Sequence, residues 1–205
     1  MSSATMPMLE PGRTGKTGGP PGLIVRECRG ERSASLVARR GAARRLSEAA
    51  LASFGVPLPM TPRATLGRGV TFLWAGPAQW LVEATAGEPE LEEFLGAAFG
   101  GLASVCEQSD SRIVLEVAGP RVREVLAKGL PIDLHPELFG SGDVALTAVA
   151  HVGVQLRQIT DAPSYRLAVP RSHFGSFWHW LASSAAEFGC EVVAPGAGAR
   201  TAAND

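Results

Sequence analysis

The chain has 205 residues, 45% of them apolar and 19% charged, with 19 basic and 20 acidic side chains. This length fits one compact domain or two small ones, and the formal net charge of −1 indicates no polyanionic partner. The three cysteines, Cys28, Cys106 and Cys190, are an odd number without a CxxC pair, which excludes a disulfide scaffold and a cysteine-built zinc site.

The two ends of the chain are rich in Gly, Pro, Ser, Thr and Ala and carry little to bury. We therefore expect flexible tails at 1–22 and 194–205, around a globular body at 23–193 with up to two ferredoxin-like subdomains. The N-terminal residues lack the apolar run of a signal peptide, and no stretch reaches the length of a membrane span. We expect a cytoplasmic protein that does not associate with membranes.

Residues 26–45 carry seven arginines, and their second half predicts a helix over Ser35–Leu51. Clustered arginines suit nucleic-acid phosphates, a protein partner or a solvated surface. The near-neutral chain and the absence of interleaved aromatic residues argue against nucleic acid. A partner protein is favoured, and the candidate interface residues here are Arg39, Arg40, Arg44 and Arg45.

The body then alternates between strand and helix patterns. Val70–Trp74 and Gln79–Ala84 predict a hairpin. A helix follows, with a stripe of apolar residues from Leu91 to Phe99 and with Glu88, Glu90, Glu92 and Glu93 in its first turns. Leu102–Gln108 and Ser111–Ala118 predict two strands with Ser109 and Asp110 at the turn between them.

The second half again contains both helix and strand patterns. A short helix from Val122 ends at Gly129, and the predicted elements after it are strands near Val144–Val149, Val152–Arg157 and Tyr165–Val169, a helix at 171–187 and a closing strand at 191–193. Strand pairs followed by a helix indicate an α+β fold with antiparallel sheets, packed helices and ferredoxin-like units.

The last helix carries an aromatic residue outside its apolar stripe. Trp180 lies two residues from Trp178 and so points away from the core face, and His173 lies on the same flank, seven residues earlier. Tryptophan is enriched at interface hot spots, so Trp180 and His173 join the candidate interface residues. His173 and His179 are six residues apart, which does not fit the i, i+4 spacing of a helical metal site.

The chain carries no catalytic motif. It has neither GxSxG nor a GxGxxG after a strand, and its carboxylates form no evident catalytic pair. We therefore predict no catalytic, cofactor-binding or metal-binding residue.

Three runs resemble the γ subunits of heterotetrameric sarcosine oxidases: LWAGPAQWLVEA, SDSRIVLEVAGPRVREVLAKGLPIDLHPELF and HVGVQLRQITDAPSYRLAVPRSHFGSFWHWLASSAAEFG. The resemblance covers about Arg68 to Gly189, and PRSHFGSFWHWL is its most specific part. The segment with a strand, Gly-Pro and a helix is shared more loosely with folate-binding aminomethyltransferases, which implies an aminomethyltransferase-like arrangement.

The resemblance implies a non-catalytic subunit that acts with α, β and δ subunits. That assembly oxidises sarcosine to glycine, with hydrogen peroxide and either formaldehyde or 5,10-methylenetetrahydrofolate as products. It also implies FAD, FMN, NAD, tetrahydrofolate and zinc in the partner subunits and none of them in this chain.

Two other functions stay open at this point. A stand-alone folate-binding or aminomethyl-transfer protein would need an acidic residue in a pocket, for which Glu83, Asp110 and Asp133 are available. An RNA-binding module would use the arginine-rich stretch, with an affinity that falls as salt rises.

Overall fold

The computed structural model describes residues 8–84 and 91–196. The strands are β1 (Gly12–Thr14), β2 (Leu23–Cys28), β3 (Arg32–Ala38), β4 (Ala64–Leu66), β5 (Val70–Gly76), β6 (Gln79–Ala84), β7 (Ala103–Glu107), β8 (Arg112–Ala118), β9 (Val144–Val149), β10 (Val152–Thr160), β11 (Ser164–Pro170) and β12 (Cys190–Gly196). The helices are α1 (Ala43–Phe54), α2 (Leu91–Phe99), α3 (Val122–Ala127) and α4 (Phe174–Ala185), and a 3-10 turn at Arg171–His173 precedes α4. Within these described ranges no helix combines the length and apolar character needed to span a membrane.

The chain divides into two compact units. The five-stranded unit comprises Gly30–Arg112 and Gly142–Leu146, and the seven-stranded unit comprises the chain up to Arg29, Ile113–Ser141 and the chain from Thr147 onward. Together they make an α+β fold in which antiparallel pairing dominates.

The sheet of the five-stranded unit has the strand order β4-β5-β6-β3-β7, and its neighbouring strands are antiparallel. Strands β5 and β6 form the predicted hairpin, with Trp74 opposite Trp80. Gly76 has φ +133 at the bulge before the turn, a conformation that favours glycine.

Two helices cover one face of this sheet. Helix α1 buries Leu46, Ala50 and Phe54, and α2 buries Leu91, Leu95 and Phe99. These side chains meet the inward side chains of the strands to form one continuous core.

Aromatic residues fill the centre of that core. The rings of Phe54 and Phe72 meet edge to face with their centroids 5.4 Å apart. Trp80 is 1% exposed, and its indole Nε1 donates a hydrogen bond to the Pro59 carbonyl oxygen at 2.7 Å. Burial of such a side chain stabilises the fold by about 2–3 kcal/mol.

The sheet of the seven-stranded unit has the order β1-β12-β2-β8-β11-β10-β9. Strand β12 runs parallel to β2, while β1 with β12, β2 with β8 and β10 with β11 are antiparallel. Alternate residues of the central strands are fully buried: Leu23, Val25, Leu115, Val117, Leu167 and Val169. Helix α3 buries Val122, Val125 and Leu126, and α4 buries Phe174, Phe177, Leu181 and Ala185.

The N-terminal segment has more structure than its composition indicates. Strand β1 pairs with β12, with Gly12 opposite Val192, and the Lys16 N–H donates to the Ala186 carbonyl oxygen at 2.8 Å. These hydrogen bonds involve only the backbone, so a segment with little to bury still packs on the sheet edge. At the other end β12 continues to Gly196, beyond the expected limit of the body. Residues 1–7 and 197–205 lie outside the described residues.

The helix expected over Ser35–Leu51 is wrong in its first part. Residues Arg32–Ala38 form β3, which lies between β6 and β7, and α1 begins only at Ala43. The period of two is present in the sequence, since Ala34 and Leu36 are fully buried while Ser33 and Ser35 lie on the other face. Because the surrounding sequence is rich in arginine, this short alternation does not stand out from a helical pattern.

The two strands on either side of Ser109 and Asp110 do not pair with each other. Strand β7 pairs with β3, and β8 pairs with β2 in the other sheet. The turn is present, with the Ser111 N–H donating to the Gln108 carbonyl oxygen at 2.9 Å. The expected helix start at Glu88 and Glu90 lies outside the described residues, and α2 is described from Leu91.

A candidate subunit interface

The six candidate interface residues lie in two groups, one in each compact unit. His173 and Trp180 lie in the seven-stranded unit, before and within α4. Arg39, Arg40, Arg44 and Arg45 lie in the five-stranded unit, at the connection from β3 into α1.

Trp180 is half-buried, because the end of α3 occupies the flank of α4 on which it lies. A Cβ atom added at Gly129 would be 2.7 Å from Trp180 Cζ2, so the indole packs directly on that glycine. The centres of the Phe177 and Trp180 rings lie 5.8 Å apart. Part of the Trp180 ring therefore stabilises this unit, and the remainder faces solvent.

His173 is exposed in the 3-10 turn that leads into α4. Its Nδ1 lies 3.0 Å from the Ser172 hydroxyl, a hydrogen bond between neighbouring residues. The imidazole is held locally and remains accessible to a partner.

The residues that follow α4 contact cationic side chains of their own unit. Lys128 forms an ion pair with Glu187, and its ammonium lies 4.8 Å from the centre of the Phe188 ring. The Arg121 guanidinium lies 5.6 Å from the same ring. These cations are therefore engaged with groups of their own unit.

The arginines before and within α1 have a different environment. Arg39, Arg40, Arg44 and Arg45 are all exposed. Their ion pairing within the described chain consists of one exposed contact, from Arg44 to Glu48 at 3.1 Å. Exposed pairs of this kind contribute about 0–1 kcal/mol.

The start of α1 is also unfavourable for cations. Ala42 at the N-cap supplies no side-chain hydrogen bond, and the first turn contains no acidic residue. Because the N-terminal end of a helix carries partial positive charge, each arginine there costs about 0.3–1 kcal/mol of helix stability. We call Arg39, Arg40, Arg44 and Arg45 the arginine cluster.

Burial changes the pKa of two protonatable side chains of the seven-stranded unit. Burial raises the pKa of Tyr165, although the Arg123 guanidinium, with its Nε 3.0 Å from the phenol oxygen, opposes this shift. Burial likewise raises the pKa of the Cys190 thiol, which makes it a weak nucleophile at neutral pH. Among residues 8–84 and 91–196, no three His, Cys, Asp or Glu side chains are grouped as metal ligands.

Similarity to known proteins identifies the family of this chain. The model of the "Sarcosine oxidase, gamma subunit family" matches residues 38–187, more than half of the chain. The chain belongs to this family. A sarcosine oxidase subunit gamma from Arthrobacter sp. is 32% identical over 173 residues, covering 84% of each chain. The corresponding subunit from Corynebacterium sp. strain P-1 is 35% identical over 150 residues, covering 71% of this chain and 73% of the relative.

Solved structures agree with this assignment. A chain of the heterotetrameric sarcosine oxidase from Corynebacterium sp. U-96, in complex with pyrrole 2-carboxylate, superposes with a TM-score of 0.71, 30% identity and 88% coverage of both chains. The glycine cleavage system aminomethyltransferase T from Bartonella henselae has a TM-score of 0.61 at 12% identity, covering 86% of this chain and 48% of that one. The second likeness shows that this γ-family chain has an aminomethyltransferase-like fold.

Proposed function

We propose that this chain is a non-catalytic γ subunit of a heterotetrameric sarcosine oxidase and works with α, β and δ subunits in the cytoplasm. The observation that carries the proposal is its match to 88% of a chain from such an assembly, at a TM-score of 0.71. The exposed arginine cluster and the half-exposed Trp180 supply side-chain types that are enriched at protein interfaces.

The assembled enzyme would convert sarcosine, dioxygen and water to glycine, formaldehyde and hydrogen peroxide. With tetrahydrofolate present, the one-carbon unit would leave as 5,10-methylenetetrahydrofolate instead of formaldehyde. We place FAD, FMN, NAD, tetrahydrofolate and zinc in the partner subunits.

This chain's contribution would be to hold the larger subunits in position. A displacement of about 1 Å between reacting groups can cost on the order of 100-fold in rate, so a subunit can raise turnover without contacting substrate. His173, Trp180 and the arginine cluster are the side chains that we assign to this contact.

The test is coexpression of the four subunits with a tag on this chain. We expect the tag to retain α, β and δ together with flavin absorbance. Partner subunits that assemble and turn over sarcosine equally well without this chain would contradict the proposal.

The contact residues are tested by H173A and W180A in the coexpressed complex. Both substitutions should weaken assembly while the flavin spectrum of any complex that forms stays unchanged. H179A is the matched control, because His179 is also exposed on α4. If both H173A and W180A assemble like the wild type, His173 and Trp180 do not belong to the interface.

The stand-alone folate-binding function is tested on the isolated chain. Titration with tetrahydrofolate should give no saturable binding, since we place the folate site in a partner subunit. Saturable binding would favour the alternative.

A further inference from the structure

Strand β7 forms one edge of the five-stranded sheet. Its sequence is Ala-Ser-Val-Cys-Glu, with neither lysine nor proline. Soluble proteins generally cover or interrupt such edges, because unpaired N–H and C=O groups accept strands from other chains. The opposite edge, β4, is covered within its own unit: the Ala64 N–H donates to the Gly142 carbonyl oxygen at 2.7 Å, and the Val144 N–H donates to the Pro62 carbonyl oxygen at 2.9 Å.

The pairing with β3 fixes which peptide groups of β7 point outward. The Gln108 N–H donates to the Ser33 carbonyl oxygen at 2.7 Å, and the Leu102 carbonyl accepts from the Arg39 N–H at 2.8 Å. Since the direction alternates along an antiparallel strand, Ala103, Val105 and Glu107 direct their peptide groups away from β3. Within the described chain, β7 has no strand on this outer side.

At the Glu107 end of β7, the outward N–H already has a hydrogen-bond acceptor. The outward N–H of Glu107 donates to Glu92 Oε2 at 3.4 Å, and the Glu107 carboxylate pairs with Arg32 at 3.2 Å and with the Ser109 hydroxyl. The groups that remain are the N–H and C=O of Ala103 and Val105. They offer pairing over about four residues, or roughly 13 Å of strand.

The other end of the edge is basic. Ala38 lies opposite Ala103, so the next residues of the chain, Arg39 and Arg40, stand at the beginning of β7. Both are exposed, and neither pairs with a carboxylate of the described chain. A strand added to β7 would therefore meet uncompensated positive charge at this end, while the other end is already occupied by acidic groups.

We propose that β7 receives an extended segment of another subunit, about four residues long, with acidic side chains at the end beside Arg39 and Arg40. The segment would extend the sheet by hydrogen bonds to Ala103 and Val105, and its acidic end would compensate the two arginines. This rests on the proposed function, which supplies partner chains. A second copy of this chain fits less well, because its acidic end, Glu92 and Glu107, is already engaged within its own unit.

Hydrogen–deuterium exchange tests the occupied edge. The full chain alone and the chain copurified with its α, β and δ partners are compared. The amides of Ala103 and Val105 should exchange at least about tenfold more slowly in the complex. A complex that forms with unchanged exchange at both amides overturns this proposal and leaves the proposed function standing. If the wild-type chain forms no complex, both this proposal and the proposed function are contradicted.

Charge reversal tests the basic end. R39E/R40E should weaken assembly about tenfold or more, with an effect that shrinks as salt rises. R68E is the matched control: Arg68 is exposed in the same unit but lies between β4 and β5, away from β7 in the sheet order. Equal assembly of R39E/R40E and R68E would contradict the proposal.

Backbone substitution separates strand addition from simple side-chain contact. A103P removes an outward N–H and no hydrogen bond to β3, whereas A103S keeps that N–H. A103P should lose assembly and A103S should retain it, with both melting temperatures measured on the isolated chain. If A103P does not fold, the exchange and charge-reversal results decide. Concentration-dependent protection of Ala103 and Val105 in the isolated chain would mean that a second copy covers the edge, and would overturn the proposal.

Discussion

The two compact units differ in how they treat their charged side chains. In the seven-stranded unit, Lys128 is engaged by Glu187 and by the Phe188 ring, and Arg123 donates to the Tyr165 phenol. In the five-stranded unit, Arg39 and Arg40 stand exposed beside the open edge of β7. The cations named in the seven-stranded unit thus have partners within that unit, whereas Arg39 and Arg40 form no ion pair with a described residue.

The largest expected effect concerns the core that supports the open edge. W80A removes an indole that is 1% exposed and leaves the Pro59 carbonyl without its donor. We expect a loss of about 3–5 kcal/mol in the free energy of unfolding, measured by urea denaturation. A loss below about 1 kcal/mol would mean that this core does not hold the five-stranded unit together.

The next effect tests internal packing in the seven-stranded unit. G129A places a methyl group against the Trp180 ring, with Cβ 2.7 Å from Cζ2. We expect destabilisation of about 1–3 kcal/mol, which a smaller residue in the double variant G129A/W180L should partly recover. Additive losses in thermal unfolding would contradict the contact.

A pH-dependent effect also belongs to the seven-stranded unit. Burial raises the pKa of Tyr165 from 10.0 and that of Cys190 from 9.0. Both groups therefore hold their protons more tightly when folded, so their contribution to stability is complete below about pH 9 and is lost as pH rises through the raised values. Y165F should flatten the decline of the melting temperature above pH 10, and an unchanged slope would contradict this assignment.

The smallest expected effect sharpens the contrast at α1. R45E replaces a cation in the first helical turn by an anion that the helix dipole favours. We expect the isolated chain to gain about 0.3–1 kcal/mol, seen as a small rise in melting temperature, while assembly with the partners weakens. If R45E stabilises the chain and leaves assembly unchanged, Arg45 does not belong to the interface.

Much of the fold could be predicted from local patterns. The β5–β6 hairpin follows from two strand-like runs on either side of a Gly-Pro turn, and the buried side of α4 follows from the spacing of Phe174, Phe177 and Leu181. These signals arise within a single element, so they need no knowledge of the remainder of the chain.

Features that depend on distant pairing could not be predicted in this way. The alternation of β3 lies within an arginine-rich stretch that also fits a helix. The separation of β7 from β8 into different sheets depends on β2 and β3, far away in sequence. The half-burial of Trp180 needs Gly129, which α3 places against it. The arginines follow from their clustering in the sequence, and Trp180 and His173 follow from helical periodicity. The edge beside Arg39 and Arg40 depends on the sheet order.

Native mass spectrometry of the coexpressed subunits tests whether this chain is part of the flavin-bearing assembly. We expect one intact species that contains this chain with α, β and δ subunits in equal numbers and carries the flavins. We also expect R39E/R40E to shift the population toward a species without this chain. A flavin-bearing α, β and δ assembly that never contains this chain would contradict the account.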